Sequence, residues 1–242
     1  MIALVVGSGM QALRIENAEE KVVQTRFGDV EVTVGLLVGK EIVVLHRHGK
    51  DHRYAPHMIP SRAQMLALKH LGVTKILATG TVGGMSAENA PGHYSLPDQI
   101  IDYTSGREST YWGCEGFENQ HVDFTNPFSE SLRQALLEAS KDLKIYVEPK
   151  GCYACTQGPR LETAAEVRRM VMDGADMVGM TAMPEAALAR ELGMDYALLT
   201  ASVNWGAGLA GANALDFSEI QETMQKVAIG LTSILSQTVK LL

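Results

Sequence analysis

Short runs of β-branched and other apolar residues alternate along this chain with longer segments whose apolar positions recur every three or four residues, the pattern expected when helices cover a largely parallel sheet. Buried strands are predicted at Ile2 to Val6, Lys75 to Thr79, Met177 to Met180 and Tyr196 to Val203. Between the first two, Asp29 to Leu45 alternates apolar and polar residues around Gly39-Lys40, which predicts a hairpin and hence a mixed sheet. Helices are predicted over Ser61 to Leu71, Pro127 to Leu143, Glu162 to Asp173, Pro184 to Leu192 and Asp216 to Lys240, with Ser, Asn-Pro or Asp near several starts. The fold class is therefore α/β. No repeat, low-complexity tract or Pro/Ser-rich linker interrupts the pattern, so residues 1–242 read as a single domain.

Composition narrows the function classes. A chain of 242 residues, 46% of them apolar, can bury a sizeable core. A formal net charge of -7 disfavours non-specific nucleic-acid binding, which draws on clustered Lys and Arg. An anionic ligand would need a local basic pocket. The opening Met1 to Gly7 segment has no basic flank or small-residue cleavage site and reads as a first strand, not a signal peptide. No apolar stretch approaches the ~20 residues needed to span a bilayer. Cys114, Cys152 and Cys155 are too few and too unevenly placed for a disulfide framework, so a soluble, cytoplasmic protein is expected.

Candidate chemistry gathers where predicted strands end. Gly7-Ser8-Gly9 follows the first strand, where free amides and a hydroxyl can hold phosphate oxygens or simply form a turn. It lacks the ending of a P-loop and the full Gly-x-Gly-x-x-Gly of a dinucleotide site. Leu45 to His52 places Arg47 beside His46, His48 and His52; the guanidinium suits phosphate, a zinc site lacks a convincing further ligand, and a solvated loop is the bland reading. Cys152-Tyr-Ala-Cys155 has redox or zinc spacing but sits in a probable strand without a second pair, which favours buried, inert thiols. Gly80 to Gly84 reads as a glycine turn that could pass close to a phosphate or a flat base. Thr156 to Thr163 projects Glu162 near the sheet edge, and Gly179 to Glu185 is a strand-to-helix turn whose Thr181 could cap the helix or bind an anion.

Taken in order, these segments, with Ser202-Val203-Asn204 near the C-terminal third, resemble the trimeric purine nucleoside phosphorylase and methylthioadenosine phosphorylase family over most of the chain. The resemblance implies a mixed, partly barrel-like central sheet flanked by helices, a homotrimer, no metal or other cofactor, and attack of inorganic phosphate, a co-substrate, on the anomeric carbon of a nucleoside. It assigns phosphate to Ser8, Arg47, His48, Thr81 and Thr181, and the ribose to Met180. It assigns the base to Glu162 and Asn204, with Leu161, Val82, Gly83, Trp205 and Gly206 around them. Asn204 is the residue expected to offset negative charge on the departing purine.

Adenine-cleaving members carry aspartate where this chain has Asn204 and usually serine where it has Glu162, so the pair resembles the 6-oxopurine enzymes. A carboxylate can accept the N1 hydrogen of hypoxanthine, whereas adenine presents a lone pair there. Phe217 and Ile220 align with the 5′ end of the sugar, where apolar side chains favour a methylthio group over a hydroxyl. The wider pattern, including Asp102 to Glu108, is similar to the methylthioinosine-cleaving branch. The expected reaction is phosphorolysis of S-methyl-5′-thioinosine to hypoxanthine and 5-methylthioribose 1-phosphate. His121 matches a position that reaches into a neighbouring subunit. Gly80, Pro60-Ser61 and Trp205-Gly206 depart from the usual family pattern. The competing expectations are a methylthioadenosine or general purine nucleoside phosphorylase, a nucleosidase using water, and a non-catalytic nucleoside-binding module.

Overall fold

Every residue of Ile2–Val6 is buried, which requires cover on both faces of the sheet. In this computed structural model, which describes residues 1–7, 10, 13–209 and 216–242, that cover comes from two helical layers. The strand, β1 (Ile2–Val6), lies parallel to β4 (Lys40–His46) on one side and β5 (Lys75–Gly84) on the other. Its side chains alternate: Ala3 and Val5 enter one core, Ile2, Leu4 and Val6 the other. The first core is closed by α1 (Ser61–His70) and α4 (Ala182–Glu191), the second by α2 (Glu130–Asp142) and α5 (Phe217–Leu241). Each large aliphatic side chain so buried contributes about 1.5–3 kcal/mol.

The predicted hairpin forms between β3 (Gly28–Leu37) and β4, antiparallel and turning through Val38 and Gly39, both with positive φ. An additional strand, β2 (Glu16–Thr25), extends the sheet beyond β3; its residues are exposed or half-buried, so its sequence carries little apolar signal. Four further strands follow: β6 (Tyr94–Ser95), β7 (Gln99–Asp102), β8 (Val147–Glu148) and β9 (Cys152–Cys155). The latter half is completed by α3 (Ala164–Met172), β10 (Met177–Gly179) and β11 (Asp195–Trp205). Predicted helices and strands thus recur within a few residues of their expected bounds.

One expectation is corrected. Gly80 to Gly84 is not a turn; it is the second half of β5. The glycines are there for close packing. A Cβ on Gly83 would meet Val178 at 3.2 Å and Asn204 Nδ2 at 3.3 Å, and one on Gly84 would overlap the Asn89 carbonyl oxygen. The extension lets β5 branch the sheet: it leaves β1 after Ala78, follows β11 in parallel along its length, and takes up β10 antiparallel at Gly83 and Gly84. This mixed, branched sheet brings the ends of β5, β9, β10 and β11 together.

Candidate active site

Arg47 follows β4 directly, and its backbone amide still donates to the Val6 carbonyl at 3.0 Å, so the end of the sheet fixes its position. Its guanidinium is paired with Glu185 of α4, Nε to Oε2 at 2.7 Å and Nη2 to Oε1 at 2.8 Å, both side chains being 1% exposed. Nη1 donates to the Thr79 carbonyl at 2.8 Å, and Tyr196 donates its hydroxyl to Glu185 at 2.8 Å. Burial alone would favour neutral Arg47, but the charge and hydrogen bonds of Glu185 together outweigh it and the pKa rises. Burial, reinforced by Glu185, pushes the Tyr196 phenol well up, so it stays a donor. The side-on fork that would suit phosphate is thus held by Glu185. At most one N–H on each terminal nitrogen remains for an anion. Nη1 lies close to Gly7, just past β1: a Cβ there would be 3.2 Å from it. Ser8 lies outside the described residues.

His48 is buried beside this pair, and its Nδ1 is 2.9 Å from the Tyr54 carbonyl. A carbonyl only accepts, so Nδ1 carries the hydrogen and Nε2 presents a lone pair. Burial, with help from Arg47 and the stacked His52 ring 4.0 Å away, holds the imidazole down at about 4, hence neutral near pH 7. His46 is exposed, so the three histidines do not converge. Gln64 of α1 braces the loop by donating to the Arg47 carbonyl at 2.8 Å.

The antiparallel register of β10 with β5 pairs Met177 with Gly84 and Val178 with Gly83. Continued past Gly179, it sets Met180 and Thr181 opposite Thr81 and Gly80, and a Cβ on Gly80 would lie 3.9 Å from Thr181 Oγ1. Thr81, Met180 and Thr181, all half-buried, therefore share one end of the sheet with Arg47. Thr181 is the N-cap residue of α4, and its amide donates to the Tyr153 hydroxyl at 3.3 Å. Burial raises the Tyr153 pKa, which keeps that hydroxyl protonated.

Glu162 precedes α3, whose start is fixed by a capping box between Thr163 and Glu166. Its carboxylate accepts from Thr156 Oγ1 at 2.6 Å, and the Thr156 amide donates to the Gly179 carbonyl at 2.8 Å, so the base candidate is tied to the turn bearing Met180. Asn204 follows a register shift in β11 between Ser202 and Asn204, lies opposite Gly83, and donates from Nδ2 to the Trp205 carbonyl at 2.7 Å. The chain after β11 then folds over α3: Gly206 packs against Val167, and a Cβ on Gly208 would lie 2.5 Å from that of Ala164. Glu162, before α3, and Asn204, at the end of β11, thus come from adjoining segments.

The remaining candidates are more dispersed. Val82 points into the first core, Leu161 and Phe217 are exposed, Trp205 is half-buried, and Ile220 packs on the second core. His121 is exposed and packs against Trp112, ring centroids 5.1 Å apart. Cys155 is buried, which pushes its thiol up to about 12. A cavity of about 680 Å³ lies between β2, β3 and the segment around His46 to Tyr54; it reaches Gly7 and Gln64 but is not lined by Glu162, Met180 or Asn204, which are half-buried. Sequence reasoning did not assign Glu185, Gln64, Tyr153 or Tyr196; an acid on the apolar face of the α4 segment was the available signal for Glu185.

The Phosphorylase superfamily profile matches residues 1–240. The 6-oxopurine nucleoside phosphorylase of Pyrococcus furiosus is 43% identical, with 100% of this chain and 92% of that protein covered. A probable S-methyl-5′-thioinosine phosphorylase of Xanthomonas campestris is 41% identical, covering 98% of this chain and 96% of that one. Among solved structures, methylthioadenosine phosphorylase from Schistosoma mansoni in complex with adenine superposes with a TM-score of 0.92 at 29% identity, over 99% of this chain and 91% of that one. With its branched mixed sheet and its buried arginine at the sheet end, this chain belongs to the phosphorylase superfamily.

Proposed function

We propose that residues 1–242 act as one phosphorylase domain that cleaves S-methyl-5′-thioinosine with inorganic phosphate, releasing hypoxanthine and 5-methylthioribose 1-phosphate. A phosphate oxygen bonds to C1′ as the C1′–N9 bond breaks, and the electron pair departs with the purine. No cofactor is required beyond phosphate as co-substrate. The anion is held by Arg47, Thr81 and Thr181, with Ser8 as a further ligand. Neutral His48 accepts through Nε2 from the P–OH of monoprotonated phosphate. Placing a dianion against an oxocarbenium-like sugar supplies electrostatic stabilisation, and proximity supplies more.

The observation that carries this reading is that Arg47, Thr81, Met180 and Thr181 share one end of the sheet while Glu162, before α3, and Asn204, at the end of β11, stand on the adjoining segments. Glu162 accepts the N1 hydrogen of a 6-oxopurine. Asn204, with one N–H and its Oδ1 still free, can meet O6 and a protonated N7. The names of the Pyrococcus furiosus and Xanthomonas campestris relatives both specify a 6-oxopurine base and so support this choice. Adenine would leave the carboxylate facing a lone pair, a mismatch that can discriminate by roughly 10⁴-fold. Phe217 and Ile220 would receive the methylthio group. A homotrimer, in which exposed His121 beside Trp112 reaches a neighbouring subunit's 5′ pocket, completes the site. Among the described residues no helix is long and apolar enough to cross a membrane, which supports action on small dissolved nucleosides.

The test is base release from methylthioinosine, methylthioadenosine, inosine and guanosine, each with and without phosphate, for the wild type and Glu162→Ser. Methylthioinosine should be the best substrate, phosphate should be obligatory, and Glu162→Ser should erode the preference over methylthioadenosine. Equal release in phosphate-free buffer would make the protein a nucleosidase, and tight binding without turnover a binding module.

A further inference from the structure

Arg107 lies on the segment after β7, half-buried, and every one of its five N–H groups is engaged. Nε donates to Gln157 Oε1 at 3.1 Å. Nη1 donates to the carbonyls of Met180 at 2.8 Å and Met183 at 2.6 Å. Nη2 donates to those of Thr156 at 3.1 Å and Gln157 at 2.8 Å. All these acceptors are amide oxygens, four of them main-chain, and none is a carboxylate. The acceptors belong to two different parts of the chain: Thr156 and Gln157 to the connection from β9 to α3, Met180 and Met183 to the connection from β10 and the first turn of α4.

Those two connections need a tie. β9 and β10 are laddered together only as far as Cys155 and Gly179; past the ladder, the Thr156 amide and hydroxyl donate to the Gly179 carbonyl at 2.8 and 3.3 Å, and the Met183 amide donates to Cys155 Sγ at 3.3 Å. Beyond that point one turn runs on to Glu162 and the other through Met180 and Thr181, with no sheet pairing to set their separation. Arg107 adds the tie that reaches both turns beyond those bonds. Holding the Met180 carbonyl fixes the Met180–Thr181 peptide plane, and so the direction of the Thr181 amide toward Tyr153. Holding the Thr156 and Gln157 carbonyls fixes the start of the turn on which Thr156 positions the Glu162 carboxylate.

We infer that Arg107 is a positioning residue that sets the separation between the base-binding turn and the sugar- and phosphate-binding turn, and thereby base selectivity as well as turnover. The inference rests on the proposed roles of Glu162, Met180 and Thr181. Lysine cannot replace it, because an ammonium donates from one point and cannot span two turns.

The experiment compares the full-length wild type with Arg107→Lys and Arg107→Ala, varying methylthioinosine, methylthioadenosine and phosphate separately. Misplacing reacting groups by about 1 Å costs on the order of 10²-fold, so kcat/KM for nucleoside and for phosphate should fall together by about that factor in both variants. The ratio of kcat/KM for methylthioinosine to that for methylthioadenosine should fall as well, which a loss of folded protein alone would not change. Added methylguanidinium should restore part of the activity of Arg107→Ala and none of that of Arg107→Lys. Hydrogen exchange gives a readout independent of turnover: in Arg107→Ala the amides of 156–163 and of 180–183 should exchange faster together. Wild-type selectivity in Arg107→Lys, or faster exchange in only one turn, overturns the inference. A wild-type chain that cleaves no nucleoside defeats the proposed function instead, and the exchange experiment then decides this one.

Discussion

Replacing Glu185 by glutamine should destabilise the fold far more than a near-isosteric change of one side chain ordinarily does. The variant keeps the volume but removes the charge that balances Arg47, leaving a guanidinium that is 1% exposed beside a neutral amide. Two hydrogen bonds from Arg47 and one from Tyr196 converge on the carboxylate. Hydrogen bonds to charged groups are worth about 1.5–3 kcal/mol each, and glutamine retains one oxygen but presents an N–H toward a donor. With its oxygen in the Oε1 place it keeps the bonds from Nη2 and Tyr196 and loses the one from Nε, about 1.5–3 kcal/mol, and the buried charge left unbalanced brings the loss toward the roughly 3–5 kcal/mol typical of breaking a buried pair from one side. Urea unfolding at fixed protein concentration measures it. The double variant Arg47→Met/Glu185→Leu should recover most of the loss, because an apolar pair carries no uncompensated charge. Phosphate should also raise the unfolding midpoint of Glu185→Gln more than that of the wild type, since the anion would then balance Arg47. A Glu185→Gln penalty below about 1 kcal/mol, or a double variant worse than the single one, would refute the reasoning.

Two further outcomes follow from the packing and the charges. Gly179→Ala would drive its Cβ into the Tyr153 hydroxyl and within 2.6 Å of Cζ, so it should cost about 1–3 kcal/mol and raise the KM for phosphate by shifting Thr181; calorimetry and phosphate-varied kinetics check this, and Tyr153→Phe in the same chain should recover part of the stability. His48 has a folded pKa of about 4 against an ordinary 6.5, so between those values the unfolded chain binds more protons and folding stability falls as pH falls. The full contribution, at most about 3 kcal/mol, is present above pH ~6.5 and lost by pH ~4; urea midpoints across that range should slope less steeply in His48→Asn.

What could be read in advance depended on how far apart in the chain the deciding contacts lie. The helices and the hairpin through Gly39 are local patterns, and they fall within a few residues of expectation because periodicity and turn chemistry act over a single element. Glu162 was legible for the same reason, being held by Thr156 six residues away. β5 was cut short because glycine in a sequence signals a turn, whereas Gly83 and Gly84 answer to Val178, Asn204 and Asn89, which only the folded chain brings near. Glu185 was passed over because its partner lies 138 residues away. Read alone, it is the acid of a first helical turn, a position the helix dipole already favours. The guanidinium was legible as an anion ligand, but the carboxylate that sets its direction and limits its free donors was not. A motif can therefore name the group that meets a substrate, while the number of bonds left to that group is settled by partners remote in sequence. That distinction is why Arg47 keeps at most two free N–H groups instead of an open fork, and why, under the proposed function, Glu185 should govern how Arg47 binds phosphate.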